Sequence, residues 1–127
     1  VFITSAQEKI PNFVKTGFSL FYKYDILIFE TSHKYFVSFD REPTKEEVFM
    51  HTLIFSLDHQ RNMILCILFA HLNKINFKKL GNLPLLYKVE KEVKAISDYL
   101  KTKGQKRAGF LPRYQDYEEI RRDYERN

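Results

Sequence analysis

A single cysteine in 127 residues removes several chemistries at once. A disulfide framework, a multi-cysteine zinc site and a four-thiolate iron–sulfur cluster each need more thiolates than Cys66 supplies. Four glycines and four prolines leave little room for linkers or low-complexity tails. Long apolar runs are missing too. The longest, residues 63–70, is far below the roughly 20 residues of a bilayer-spanning helix. The start, Val-Phe-Ile-Thr, has no signal-peptide pattern. Nor is there a glycine-rich phosphate loop, a Gly-x-Ser-x-Gly nucleophile turn or an HExxH pair. A soluble, cytoplasmic domain without membrane contact is the expectation.

What is present is apolar and aromatic bulk, 44% and 16% of the chain, enough for a packed core. A length of 127 residues suits one domain, organised as residues 1–43 (helices and a hairpin), 44–104 (a helical core) and 105–127 (a basic loop and a last helix). Lysine and arginine number 21 against 16 acids, leaving +5, a balance that favours polyanionic partners. The surplus is uneven: residues 101–113 hold five cations and no acid.

The chain reads as mainly α, an α-helical domain with one small β-hairpin. Residues 5–11 suit a short helix ending before Pro11, and Pro11 suits the first turn of another carrying Phe13, Val14, Phe18, Phe21 and Tyr22. Residues 25–30 and 34–40, rich in β-branched and aromatic types with Thr31-Ser32-His33 between them, predict the hairpin. Thr44 and Glu47 predict a capping box opening a helix to about residue 55. Asp58 is placed to cap the next helix, residues 59–73, which is apolar on nearly every side and so belongs at the centre of the core. Asn76 suits the cap of a short turn that Gly81 stops. Pro84 suits the first turn of a long amphipathic helix with Leu85, Val89, Val93, Ile96 and Leu100 in one stripe and Gly104 as its stop. A charged helix over residues 114–126 closes the chain.

Several residues invite chemical readings. His59 and His71 are 12 apart, about 18 Å along a helix, too far to share an ion, so packing or surface roles suit His51, His59 and His71 better than a metal site. Cys66 lies within the apolar run and reads as core filler. Asp25, Glu30 and Asp40 could approach one another on a hairpin and hold a divalent ion, though acids on strands are usually solvated. Asp58-His59-Gln60-Arg61 opens a helix, where free N–H groups and the positive end of the dipole make an anion site that His59 and Arg61 would strengthen. The alternative is that Arg61 pairs with Asp58 and merely finishes the cap. Downstream, Lys106, Arg107, Arg113, Tyr114 and Tyr117 interleave cations with rings, a pattern suited to a single nucleic-acid strand, or else a solvated loop anchored by Phe110 and Leu111.

These two stretches, in this order, resemble motifs of the C-terminal domain of the large, noncatalytic subunit of archaeal and eukaryotic DNA primase. Leu57-Asp58-His59-Gln60-Arg61, leading into apolar residues 63–69, is similar to that family's Leu-Ser-His-x-x-Arg, with the His-to-Arg gap one residue shorter. Arg113-Tyr114-Gln115-Asp116-Tyr117-Glu118-Glu119-Ile120 is similar to its Arg-Tyr-Gln-Val-Glu-His-Ile, with one residue more. The matches cover about a fifth of the chain. That family's domain carries a four-cysteine iron–sulfur cluster, which one cysteine cannot hold, so the resemblance points to the cluster-free accessory subunit of some archaeal primases. It implies a non-catalytic domain that binds the initiating nucleotide and the primer's 5′ triphosphate through Arg61 and Tyr114, with His59 beside them. It also implies the catalytic and large primase subunits, single-stranded DNA template and RNA primer as partners, and a nucleoside triphosphate as ligand with no cofactor.

Two other classes remain. Helices over residues 44–73 could form a helix-turn-helix-like DNA-binding or protein-interaction module. A small nuclease could use His59 with a nearby cation, but no second acid–base partner is evident in the sequence.

Overall fold

The computed structural model describes residues 1–28 and 33–125. It is mainly helical, with a small sheet near the start of the chain. Strands β1 (Phe2–Ser5), β2 (Val14–Lys15) and β3 (Lys34–Val37) form an antiparallel sheet with β3 in the middle. Phe2 and Val14 both pair with Val37, one on each side. Both edges of β3 are therefore taken, which corrects the expected hairpin. Its second half pairs with the start of the chain, and residues 25–28 are not strand. Phe29 to Ser32, including Glu30 of the suggested acidic cluster, lie outside the described residues.

The two helices expected before residue 23 also give way. Residues 6–10 are not helical, and after β2 the chain enters a 3-10 helix, Gly17–Tyr24. Apolar residues at positions 18, 20 and 21 are buried by this tighter winding, which sequence periodicity read as α. Asp25 ends it in the left-handed conformation (φ 61°), and the Ile26 N–H bonds to the Phe21 carbonyl, seating Ile26 in the core.

Helix α1 (Lys45–Ser56) begins as expected. The Thr44 hydroxyl accepts the Glu47 N–H at 3.2 Å, and Glu47 Oε1 accepts the Thr44 N–H at 2.9 Å. Arg41 adds a two-pronged contact to the same carboxylate, at 2.6 and 2.9 Å. That guanidinium is the main reason the Glu47 carboxyl is held down to about 2. Helix α2 (Gln60–Leu72) packs against α1 and buries Cys66 to Ala70 in an unbroken row. The Phe69 ring stacks on Phe21 at 5.0 Å and meets Tyr24 edge-on at 5.0 Å. Removing such a ring costs roughly 3–5 kcal/mol.

Asn76 caps a short 3-10 turn, Phe77–Leu80, by accepting the Lys78 N–H at 3.0 Å. The long helix expected from Pro84 to Gly104 is instead two, α3 (Leu83–Leu86) and α4 (Glu90–Lys101). Between them Lys88 is left-handed (φ 59°), and the Val89 N–H reaches back to the Pro84 carbonyl, which is how a helix ends. Gly104 (φ 83°) follows α4, and a side chain there would press on Tyr114, with Cγ only 2.9 Å from an added Cβ. Helix α5 (Tyr114–Glu125) closes the described chain and touches α2.

Candidate functional site

A pocket of about 660 Å³ opens beside the first turn of α2, between the 3-10 helix Gly17–Tyr24, β3 and the later half of α5. Its apolar wall comes from Phe18, Tyr35, Ile64, Leu65 and Ile120, all buried or half-buried. His33, His59 and Arg61 are exposed at its opening, beside the half-buried Asn62 and Tyr124. An apolar wall with a few convergent polar groups, at this volume, is the usual make-up of a small-molecule site.

The polar side is built by how α2 starts. Asp58 is not the cap. His59 takes the N-cap position in an extended conformation (φ −144°, ψ 109°), and its side chain makes no capping hydrogen bond. No acid lies in the first turn, in contrast to Glu46 and Glu47 on α1. The start of α2 thus keeps its N–H groups and positive dipole end uncompensated by side chains. Among the described residues Arg61 is in no ion pair, so the alternative pairing with Asp58 is not formed. An exposed fork-shaped cation beside free N–H donors is suited to a phosphate.

Tyr114 is not there. It packs at the opposite end of α5, 5.4 Å from the Tyr99 ring and against Gly104. Ten residues, about 15 Å of helix, separate it from Tyr124. The structure therefore brings His59 and Arg61 together but supplies Tyr124 where Tyr114 was expected. The reason lies in one stripe of α5: its early residues Tyr114 and Tyr117 face Tyr99, and its later ones, Ile120 and Tyr124, face the pocket. That stripe was readable as helical spacing; which part of it met which neighbour was not.

Tyr117 needs a second correction. It is fully buried, stacked on His71, and shares a 2.6 Å hydrogen bond with His71 Nδ1. Burial pushes its hydroxyl well above the usual range and lowers that of the His71 ring. It cannot stack on a base. Lys106, Arg107 and Arg113 are exposed as expected, but none lines the pocket, and Arg113 bonds Asp116 through Nε at 3.1 Å. His33 is the residue that sequence spacing missed. It lies 26 positions before His59, and only folding places both at one opening.

The remaining polar candidates are structural. His51 is buried against Thr16, with Nδ1 and the hydroxyl 2.5 Å apart. Cys66 is fully buried, and burial pushes its thiol far up, away from a reactive thiolate. Among the described residues no group of three or more His, Cys, Asp or Glu is placed to hold a metal ion. None of their helices is long and apolar enough to cross a membrane.

Fold and site together define a mainly helical domain with one small sheet and a pocket at an uncapped helix start. A family model described as HVO_2833_C, C-terminal, matches residues 10–126, and the chain belongs to that family. No curated protein and no solved structure matches the chain. The primase resemblance therefore stands on the two short motifs alone.

Proposed function

We propose that the domain grips the phosphates of a nucleotide at the start of α2 and positions it for chemistry performed elsewhere. One observation carries this reading: His59 and Arg61 stand at an uncapped helix start on the opening of a pocket whose wall can take a base. Arg61 would fork onto the phosphates, the first-turn N–H groups would share them, and Tyr35 or Tyr124 would face the ring. Such a site lowers the entropic cost of bringing reactants together and makes no bond itself. In the primase setting that the motifs suggest, the ligand is the initiating nucleotide or the primer's 5′ triphosphate. The partners there are the catalytic and large subunits in the cytoplasm, with template strand along Lys106, Arg107 and Arg113. The test is calorimetric titration with GTP and ATP. Arg61→Glu should weaken binding at least tenfold, while unchanged affinity would refute the site.

One observation favours a second reading. His33 supplies, at the same opening as His59, an acid–base partner that was not evident in the sequence. One imidazole could take the 2′-hydroxyl proton of RNA while the other protonates the leaving 5′ oxygen, with Arg61 on the phosphate between them. Metal-independent RNA cleavage giving 2′,3′-cyclic phosphate ends, lost in both His33→Ala and His59→Ala, would establish it over the positioning role.

A further inference from the structure

The charge of this molecule is concentrated in one stretch. Residues 74–107 hold ten of the 21 lysines and arginines but three of the 16 acids, a surplus of seven, so the rest of the chain is net negative. All ten cations are exposed, and among the described residues none is in an ion pair. Elsewhere ion pairing is common. Lys15, Lys23, Lys34, Arg41, Arg113 and Arg121 are each matched to a carboxylate. Ten cations within 34 residues, with only three acids among them, repel one another on balance.

Backbone conformation gives a second, independent indication. Lys74, Lys88 and Lys103 follow α2, α3 and α4, and each is left-handed, with φ of 50°, 59° and 52°. The helix ends at Lys74 and Lys88 carry the paired back-bonds of a glycine-type stop: Lys74 N–H to His71 and Ile75 N–H to Ala70, then Lys88 N–H to Leu85 and Val89 N–H to Pro84. Glycine is the residue that fits such a position without strain, yet all three sites hold lysine. The helix dipole repays part of the cost. On α4, Lys91, Lys94 and Lys101 lie within one quadrant of the exposed face, spread over about 15 Å. That span exceeds a single phosphate or nucleotide and fits a repeating polyanion.

We propose that the face formed by α3, α4 and their flanking turns is a docking surface for the sugar–phosphate backbone of a nucleic-acid strand. No residue of this stretch lines the pocket at α2, so the proposal stands whether or not that pocket binds a nucleotide. The cations extend from the end of α2 to the loop beyond α4 rather than ringing the exposed pair Leu85 and Leu86 (63% and 69% exposed), as a membrane-inserting tip would require.

The experiment is fluorescence anisotropy with a labelled 20-nucleotide single strand across a salt series, beside flotation with phosphatidylserine vesicles. The doubly substituted K91E/K94E chain should bind the strand at least tenfold more weakly, with a salt slope reduced by about two. Lys88→Gly and Lys103→Gly should each weaken strand binding severalfold while keeping or raising the melting temperature, a combination that a purely structural role for these lysines would not give. Lys9→Glu, at an exposed lysine outside this stretch, should leave strand affinity within about twofold, separating this face from a general attraction to cations. Strand affinity unchanged in K91E/K94E would overturn the proposal. So would binding to vesicles but not to the strand, lost in L85S/L86S.

Discussion

His51 is buried with one ring nitrogen against the Thr16 hydroxyl and the other, Nε2, without a partner. The rings of Phe2, Phe39 and Tyr87 surround it at 4.8, 5.4 and 6.0 Å. Burial is the main cause that holds its pKa down to about 4; the Glu47 carboxylate pulls the other way, and Arg41 adds to the lowering. The unfolded chain, titrating at about 6.5, takes up the proton first. Stability from neutral His51 is thus complete above pH 6.5 and falls as pH drops toward 4. Glu47, also depressed, adds its own loss only below about 4.5. Urea midpoints measured from pH 7 to 4 should fall in the native chain, and the fall should flatten in His51→Gln. An identical slope in both would show that another group is responsible. His51 sits in the middle of α1 and His59 at the start of α2, and packing buries the first and exposes the second.

At the scale of elements, the two long central helices start in opposite ways. Helix α1 has a full capping box and two acids in its first turn, whereas α2 has neither. The loss on Thr44→Ala should be about 1 kcal/mol, within the range for such caps. Asp58→Ala should change stability by less than half of that, because Asp58 makes no cap. Chemical denaturation of both variants checks the pair, and equal losses would mean that α2 is capped by Asp58 after all. The capping box and the Asn76 cap were legible because each is settled within four residues. The β3 pairing was not, because its partners lie about 20 and 35 residues upstream, while the attractive β-like run at 25–30 is adjacent. The break between α3 and α4 was hidden for a related reason: lysine at residue 88 gives no stop signal of the kind glycine gives.

The whole molecule assembles its pocket from five separated segments, and this is where reading the chain alone reached its limit. The anion-suited pair His59 and Arg61 was visible as a local motif. Its companions were not, since Tyr124 and His33 arrive through tertiary packing, and the motif-based choice of Tyr114 lands at the wrong end of the right helix. The charge asymmetry was visible only in part, as the run at residues 101–113. The exposed, unpaired cations after α2 and along α4 extend that run in sequence. On the proposed readings, the pocket edged by the uncapped start of α2 would hold phosphate, and the exposed lysines of residues 74–107, none of which lines it, would meet a strand.

The most direct measurement is amide and side-chain NMR mapping of the isotope-labelled domain during a titration with GTP. Saturable shifts are expected at residues 60–62 and in the Tyr124 ring, with the Tyr114 ring unmoved and the response abolished in Arg61→Glu. Shifts confined to residues 101–117, or a spectrum unchanged at millimolar nucleotide, would contradict a phosphate site at the start of α2.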